Sequence, residues 1–557
     1  MFYLAAMAYT PFHLIRLIVL AVVFTFIAII HENFIKKRTS IQTLQSINED
    51  EIHSLNHEFP DDNFGELFQD QDHPYSYDLD FFVKRGVFHF INRAKTGMGS
   101  RCLAEWLGDL LSKTDTAQIK ERQKAVSELS EKIDLRQNVQ THSRSVDHSL
   151  ERLKAITDLI NEPLFILPRK KLILFIHIMP LITLGFIGLI FAGFPWPVIF
   201  LPVTVQFILN RQIRDKLTRM YLMATSNSRI LRNYSQIIAD IEKADFSSEM
   251  LNGIKKSLFT NERSSSFFIS KLSSLVGYLE LRRNGFFHPI FNNLFFWDLH
   301  WTYRIEKWKV KIAPHVPGWF DAIGRFEALS SFASLYFNHP RWAMPEMSTS
   351  EFTFKAQNLG HILIPEDKRV CNDINMDGKS KIWVITGPNM SGKSTLLKTV
   401  GVNMVLALAG APVCADACVI SPAKLYTNLK VNDSLDKNLS LFYAELQRLK
   451  MVVDGVAKHE TVFFLLDEML KGTNALDRQA GALALLRQLC TSESNGFVAT
   501  HDLELTKLEE EFPEKIKNFH FDGTVKDDKL LFDFKLRSGK CESFNALLLM
   551  RKMGIDV

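Results

Sequence analysis

The sequence predicts a multidomain protein that combines membrane segments, an all-α region and a C-terminal α/β domain. Residues 172–210 contain no Asp, Glu, Lys or Arg, which is typical of membrane segments. Residues 76–168 and 213–345 carry apolar side chains at helical spacing. Residues 352–557 alternate short apolar strands with helical segments, which indicates an α/β domain. A length of 557 residues fits several domains.

Composition excludes several classes of protein. The 46% content of hydrophobic residues is too high for a disordered chain, and six cysteines are too few for a disulfide scaffold. Lys and Arg exceed Asp and Glu by 66 − 62 = 4, so the chain as a whole carries no strong nucleic-acid signature. Cys414 and Cys418 lie close in sequence, but no second Cys or His pair completes a metal site, and we expect core thiols.

The uncharged run 172–210 is too long for one membrane span. A single helix of this length would extend ~58 Å, about twice the ~30 Å hydrocarbon core. The sequence GFPWP at 193–197 interrupts helices, so we predict two arms, 172–191 and 195–209, joined by a tight turn. The second arm is short for a span, which leaves a re-entrant or tilted segment open. A buried hairpin in a soluble core is the alternative.

A second apolar segment lies near the N-terminus, within residues 1–31. Its core at 17–30 follows Arg16 and precedes the basic cluster 36–38, whereas a signal peptide would place its positive charge first and end at a small-residue cleavage site. We therefore predict an uncleaved anchor. Basic clusters also flank residues 172–210 on both sides, so the positive-inside rule predicts a multi-pass membrane protein with most of its chain in the cytoplasm.

The residues that carry chemistry begin with a glycine-rich loop. Residues 387–394 fit the pattern G-x-x-x-x-G-K-[ST] between an apolar strand and an apolar helical stretch, which is the context of a phosphate-binding loop, or P-loop. Gly387 and Gly392 let backbone amides turn toward phosphates, and the helix N-terminus favours negative charge. Lys393 is placed to reach the β- and γ-phosphates, and Ser394 offers a hydroxyl to Mg²⁺. The predicted nucleotide-binding residues are Gly387, Pro388, Asn389, Met390, Ser391, Gly392, Lys393, Ser394 and Thr395.

Two carboxylates follow the next strongly apolar strand, at 462–466. Packing does not explain Asp467 and Glu468 there, so we expect Asp467 to hold Mg²⁺, directly or through water, and Glu468 to orient the attacking water. A third strand ends in Thr500-His501, where His501 is placed to sense the γ-phosphate or serves a structural role. The predicted catalytic residues are Lys393, Glu468 and His501, the metal ligands are Ser394 and Asp467, and the ligands are ATP and Mg²⁺.

These motifs resemble those of the MutS family, the ATPases of DNA mismatch repair and related DNA transactions. The motifs that are similar are the loop TGPNMSGKST, Asn372-Asp373, DEMLKGTN at 467–474, Ala499-Thr500-His501 and the closing segment 543–554. Lys471 and Asn474 stand where the family has Arg and Ser. The sequence TGMGSRCL at 96–103 resembles the start of the family's core and lever region.

The resemblance implies an ABC-like P-loop ATPase domain that pairs head to tail in a homodimer and acts on DNA. A serine of one subunit would meet the γ-phosphate held by the other, and Ser440 matches it, with Asn438 where the family has Gly. An aromatic residue that stacks on adenine is expected before Asn372, where this chain has Arg369-Val370-Cys371. We expect no mismatch-reading domain, because Phe64-Gly65-Glu66 lies in a linker too short to hold one.

The predicted division of the chain follows from these features. It comprises an N-terminal membrane anchor (1–31), a juxtamembrane linker with at most one helix (32–75), a first helical core part (76–168), a membrane hairpin (172–210), a second helical lever and core part (211–350) and the ATPase domain (351–557).

We expect a membrane-anchored, MutS-like ATPase that binds DNA or a DNA-like polymer through its helical levers, with mismatch specificity reduced or absent. A membrane transporter-type ATPase and a nucleotide-switched membrane tether are the alternatives. Three segments are few for a transport path, and no Leu-Ser-Gly-Gly-Gln signature appears. His177 and Gln206 are the only candidates for the polar or charged residue that a transport path would carry inside the membrane.

Overall fold

The computed structural model describes residues 2–59, 63–109, 115–144, 157–225, 228–260, 263–283, 285–349, 351–430, 441–526 and 529–541. These residues form a mostly helical chain with mixed β-sheets in its C-terminal part.

The helices precede and then alternate with the strands. They are α1 (Phe2–Leu55), α2 (Val87–Ile91), α3 (Gly97–Gly108), α4 (Thr116–Glu131), α5 (Ile133–Arg144), α6 (Lys170–Phe191), α7 (Phe200–Thr225), α8 (Ser228–Lys243), α9 (Glu249–Ser257), α10 (Ser265–Leu279), α11 (Phe287–Phe295), α12 (Trp297–Ile312), α13 (Val316–Asn338), α14 (Lys393–Ala409), α15 (Leu441–Ala457), α16 (Ala475–Thr491) and α17 (Leu508–Glu511). The strands are β1 (Phe259–Thr260), β2 (Arg263–Ser264), β3 (Glu346–Met347), β4 (Thr353–Leu359), β5 (Asn372–Asp377), β6 (Ile382–Thr386), β7 (Ala417–Ile420), β8 (Lys424–Asn428), β9 (Val462–Asp467), β10 (Asn495–Ala499), β11 (Ile516–Lys526) and β12 (Lys529–Ser538).

Helix α1 joins the predicted anchor to most of the predicted linker. It runs unbroken to Leu55, so the boundary that we predict at residue 31 does not exist as a structural break. Its apolar side chains between Ile15 and Ile30 are exposed, whereas its C-terminal part docks on the helical body. Glu51 Oε1 accepts from Arg93 Nε at 2.6 Å, and Asp50 Oδ2 accepts from Arg144 Nη1 at 2.7 Å. Polar helical sequence after residue 30 carries no break signal, which is why one helix continues through it.

The hairpin consists of α6 and α7, with Gly193 (φ +97°) in the turn between them. The first arm lies where we predict it. The second begins at Phe200 and continues to Thr225, so its predicted limits at 195–209 are wrong: a short 3₁₀ turn precedes it, and the helix does not end where charged residues begin.

Helices α1 (within Ile15–Leu55) and α6 are long and apolar enough to cross a membrane, by length and composition. A signal sequence and a buried core helix meet the same criteria. Only 17% of the most apolar window of α6 is buried, and Leu181 and Leu184 are exposed, so α6 is not packed as a soluble core helix is.

Helix α13 forms the centre of the helical body and packs against α3 and α4. Its Glu327 is buried and accepts from Thr96 N at 3.2 Å, while Thr96 Oγ1 caps α3 by accepting from Gly99 N at 3.1 Å. Burial raises the pKa of Glu327. The strands β1 and β2 form a short antiparallel hairpin inside the region that we predict as helical.

The C-terminal part alternates strands and helices, as the sequence pattern predicts, and its strands form two sheets. The larger has the order β12-β11-β6-β10-β9-β8, in which β12 is antiparallel and the other pairs are parallel. The smaller has the order β3-β7-β4-β5, so its first strand precedes our predicted domain boundary at residue 351. Cys414 and Cys418 are buried free thiols, as predicted, and burial raises the pKa of both to about 12.

The register of the larger sheet determines where the site lies. Ala499 at the end of β10 lies opposite Ile385 of β6 on one side and Asp467 of β9 on the other. Because carboxyl ends of parallel strands share one edge of a sheet, the segments after these three strands converge. Arg122 of α4 donates to the Ala409 carbonyl at 2.7 Å and so fastens the helical body to the end of α14.

Candidate functional site

The glycine-rich loop turns sharply between β6 and α14. Its backbone takes positive φ at Gly387 (+149°), Met390 (+67°) and Gly392 (+105°). A Cβ on Gly387 would lie 2.9 Å from the backbone oxygen of Phe521, a separation that real Cβ atoms essentially never show. Glycine at the start of the loop is therefore required both by conformation and by space.

Lys393 is the first residue of α14, and its side chain turns back over the loop. It is 5% exposed and donates to the carbonyls of Gly387 (2.8 Å) and Pro388 (3.0 Å). Burial lowers the pKa of Lys393, and the nearby carboxylates of Asp467 and Glu468 oppose that effect.

Ser394 and Asp467 meet across the sheet edge. Ser394 Oγ donates to Asp467 Oδ2 at 2.5 Å, although 73 residues separate them in sequence. Burial raises the pKa of Asp467, and the hydrogen bond from Ser394 opposes the rise. The two side chains that we predict as metal ligands thus place their oxygen atoms next to each other.

Glu468 adopts a left-handed conformation (φ +50°), which its amide stabilises by donating to the Ala499 carbonyl at 2.9 Å. Its Oε1 lies 2.8 Å from His501 Nε2, and its Oε2 lies 3.1 Å from Lys471 Nζ. Burial would raise the pKa of Glu468, but the hydrogen bond and charge of Lys471 outweigh it and lower the pKa. The carboxylate is therefore held ionised.

His501 completes the cluster after β10. Its Nε2 lies 3.3 Å from Lys393 Nζ as well as beside Glu468. Burial lowers the pKa of His501, and the positive charge of Lys393 lowers it further. A cavity of about 440 Å³ opens next to Glu468, Lys471 and His501 and gives this cluster access to a small ligand.

The structure brings five of the predicted residues together. They are Lys393, Ser394, Asp467, Glu468 and His501. Of the remaining loop residues, Met390 is 89% exposed and Ser391 is buried. Ser440 and the closing segment 543–554 lie outside the described residues.

Two residues of the site escape prediction from the sequence. Glu445 of α15 is buried, and its Oε1 accepts from the Leu470 amide at 2.5 Å, which braces the turn that follows Asp467 and Glu468. Its spacing in α15 carried no signal that distinguishes it from an ordinary helical glutamate.

Phe534 of β12 is the second residue that was missed. Its ring packs beside the loop, since a Cβ on Gly392 would lie 3.1 Å from Phe534 Cδ1. Asn372 holds it there: Asn372 Nδ2 donates to the Phe534 carbonyl at 3.0 Å, and Asn372 Oδ1 accepts from Leu536 N at 2.8 Å. The aromatic residue that the resemblance implies just before Asn372 is absent there, and the carbonyl that Asn372 binds belongs to Phe534, 162 residues later in the chain.

Comparison with known proteins points to one family. A family model described as MutS domain V matches residues 383–555, and one described as MutS domain III matches residues 66–263, a range that includes both arms of the hairpin. "DNA mismatch repair protein MutS" of Chlorobium phaeovibrioides (strain DSM 265 / 1930) is 28% identical over 240 residues, 42% of this chain and 27% of that protein. "DNA mismatch repair protein MutS 2" of Halobacterium salinarum is 30% identical over 236 residues, again 42% and 27%. The chain spans about a quarter of the length of these relatives.

Proposed function

We propose that this protein binds ATP with Mg²⁺ and hydrolyses it. The premise is that its two matched domains and its relatives support membership of the MutS family. MutS family proteins are ATPases that act as dimers on DNA. One observation carries the proposal: Ser394 Oγ and Asp467 Oδ2 lie 2.5 Å apart beside the buried ammonium of Lys393. Packing alone gives no reason to gather these groups at one sheet edge.

The residues fit the ligands that the family implies. Mg²⁺ prefers oxygen ligands, takes one or two from the protein and fills its remaining positions with water and phosphate. Ser394 and Asp467 supply such a pair, and among the described residues no group of three or more His, Cys, Asp or Glu competes as a metal site. Ser391 Oγ, buried in the loop, has no hydrogen-bond partner within the described chain, so the loop holds a polar atom whose hydrogen bond the protein itself does not supply.

Each side chain then has a defined task. The loop amides and Lys393 bind the phosphates, and the exposed face of Phe534 offers a surface for the base. Glu468, kept ionised by Lys471, accepts a hydrogen bond from the attacking water and orients it. His501 aligns the Glu468 carboxylate. Ser394 and Asp467 would hold Mg²⁺, and the bound ion would supply positive charge that polarises the phosphates.

Replacing the base tests the enzymatic part of the proposal. Glu468→Gln should lower turnover of ATP by about 10²-fold or more while ATP affinity stays within about threefold, because only the water-orienting charge is lost. The matched control is Glu460→Gln, which removes a carboxylate just before the opposite end of β9, where it pairs with Lys424 at 2.7 Å. Turnover that survives in Glu468→Gln would show that the base is assigned incorrectly.

The head-to-tail dimer with Ser440 acting across the interface is part of the proposal. Lys393→Ala and Ser440→Ala should each be inactive alone. An equal mixture should regain about a quarter of wild-type turnover, because half of the dimers would hold one intact composite site. A mixture that stays inactive would exclude the shared site.

We propose DNA as the polymer ligand on the strength of the relatives. Titration of homoduplex, mismatched and branched DNA at several salt concentrations tests this, since phosphate contacts make affinity fall steeply with salt. Equal affinity for homoduplex and mismatched DNA would contradict mismatch recognition but would not affect the proposed ATPase activity. If none of these DNAs binds even at low salt, DNA is not the ligand.

We further propose that α6, its partner arm α7 and the N-terminal part of α1 anchor the protein in a membrane, with the ATPase domain in the cytoplasm. The exposed apolar side chains of α6 support this, because a soluble protein would bury them. After alkaline carbonate extraction of cell membranes, the full chain should remain in the pellet. Release into the supernatant would contradict the anchor.

A further inference from the structure

Helix α11 is built with its apolar side outward. Ile290 and Phe291 are exposed, as are Phe286 and Phe287 at its start, and none of its residues is buried. These positions recur at intervals of three and four residues, so they share one face. A surface helix of a soluble protein turns such a face toward its core, and here the apolar face is directed away from it.

The polar side chains of α11 point toward the protein. His288 Nε2 lies 2.9 Å from Asp298 Oδ1, and Asn292 Oδ1 accepts from the Asp298 amide at 3.0 Å. Asp298 is 3% exposed, so these contacts lie inside the protein. The helix is therefore fixed in its orientation by buried polar contacts, and a simple rotation to hide its apolar face would break them.

Further hydrogen bonds place α11 beside the hairpin. Asn210 Nδ2 donates to the Asn292 carbonyl at 2.9 Å. The amide of Gln206, when its oxygen accepts from Thr183 Oγ1, donates to the carbonyls of Asn293 (2.7 Å) and Leu294 (3.1 Å). Asn210 is the last residue of the uncharged run and Arg211 follows it, so α11 lies at the level where the hairpin changes from apolar to charged.

Amphipathic aromatic side chains lie next to α11, where the Trp297 ring is 5.7 Å from the Phe291 ring between centroids. Trp297 Nε1 donates to the Tyr278 carbonyl at 2.9 Å, and the Tyr278 and Trp301 rings stack with centroids 4.0 Å apart. The Arg304 guanidinium lies over the Trp301 ring at 4.8 Å. Trp and Tyr concentrate where lipid headgroups meet hydrocarbon, and Arg is favoured next to phosphate.

We propose that the outward face of α11 lies in the headgroup–acyl boundary of a phospholipid bilayer, as an interfacial helix alongside the hairpin. The inverted polarity, the bonds to the hairpin and the neighbouring aromatic cluster all fit that occupant. The proposal rests on the membrane anchoring proposed above. It adds a membrane-contacting surface that lies outside the uncharged run 172–210.

The test measures lipid exposure at three sites of the full chain, reconstituted in vesicles of phosphatidylcholine with one phosphatidylglycerol in about four lipids. Nitroxide labels are placed by Ile290→Cys on α11, Leu184→Cys on α6 and Leu476→Cys on the ATPase domain, all exposed positions. The unsubstituted chain, labelled in parallel, corrects for native cysteines. The ratio of oxygen to nickel-chelate accessibility should be at least about fivefold higher at Ile290→Cys and Leu184→Cys than at Leu476→Cys.

Each other outcome overturns the proposal in a distinguishable way. If the ratio of oxygen to nickel-chelate accessibility is high only at Leu184→Cys, the hairpin is in the membrane but α11 is in water. If the ratios at Ile290→Cys and Leu184→Cys are as low as at Leu476→Cys, neither the hairpin nor α11 contacts lipid, and both proposals are wrong. Low accessibility to both reagents at Ile290→Cys, with spin–spin broadening between labels, shows that a second copy covers the face instead. Unchanged melting curves of the variants confirm that the substitutions do not unfold the chain.

Discussion

The ammonium of Lys398 lies 2.6 Å from Oδ2 of Asp80, and this contact joins α14 to the segment before α2. Lys430, next to β8, donates to the other oxygen of the same carboxylate. Burial would raise the pKa of Asp80, but the hydrogen bonds from both lysines outweigh it and lower the pKa. Because Lys393 and Lys398 lie on the same helix, this contact fastens the helix that begins at the glycine-rich loop to the segment before α2.

Removing that carboxylate should therefore destabilise the chain. Asp80→Asn leaves two partly buried ammonium groups without their counter-ion, and we expect a loss of about 1–3 kcal/mol in the free energy of unfolding. Urea titration followed by tryptophan fluorescence measures it. Asp377→Asn is the control, because its pair with Lys355 is exposed and should contribute less than about 1 kcal/mol. Equal losses in the two variants would mean that Asp80 has no special role.

Lys471 should set the acid limit of ATP turnover. Its hydrogen bond and charge lower the pKa of Glu468, so Lys471→Met should raise that pKa. Because the ionised carboxylate is the form that orients water, the acid limb of the pH–rate profile should move to higher pH. Lys471→Arg keeps the positive charge, and its profile should stay close to the wild type. An unshifted limb in Lys471→Met would show that another group controls it.

The parts of the site that the sequence predicts are those defined by local patterns. The loop 387–394 and the acidic end of β9 follow buried strands, and parallel pairing then brings them together without further information. Glu445 and Phe534 could not be found this way, because their roles arise only when α15 and β12 pack against the loop and the turn after β9.

The ends of two helices were predicted less well, because a change in composition along the chain was taken as the end of a helix. The polar sequence after residue 30 reads as a linker, yet α1 continues through it. That sequence contains no Gly or Pro to end a helix, and its far end docks through Arg93 and Arg144. The second arm of the hairpin likewise extends past Asn210, since charged residues end an apolar run without ending a helix.

Replacing Gly387 should weaken nucleotide binding. Gly387→Ala would force a side chain to within 2.9 Å of the Phe521 carbonyl and impose φ +149° on a residue with a Cβ. A strain of ~1–3 kcal/mol corresponds to a loss of about 5- to 150-fold in ATP affinity, which equilibrium dialysis would measure. Gly277→Ala is the control, because it lies within α10 with open space around it and should leave affinity unchanged. Wild-type affinity in Gly387→Ala would show that the loop tolerates a different shape.

His361 should make the protein sensitive to acid. Burial, aided by the charge of Lys398, lowers the pKa of His361 to about 4, and its Nδ1 accepts from the Leu363 amide at 3.2 Å. The unfolded chain takes up this proton near pH 6.5 but the folded chain only near 4. The stability contribution is thus complete above about pH 6.5 and is lost as pH falls toward 4, by about 3 kcal/mol in all.

His361→Asn removes the titrating ring while it keeps a side chain that can accept the amide proton. The free energy of unfolding, measured by urea titration at several pH values, should then depend less on pH between 4 and 6.5, by about one proton. His459→Asn is the control: His459 is exposed and has φ +57°, a conformation that asparagine tolerates, so the slope should match the wild type. An unaltered slope in His361→Asn would mean that other groups, such as His339, whose pKa burial also lowers to about 4, carry the acid sensitivity.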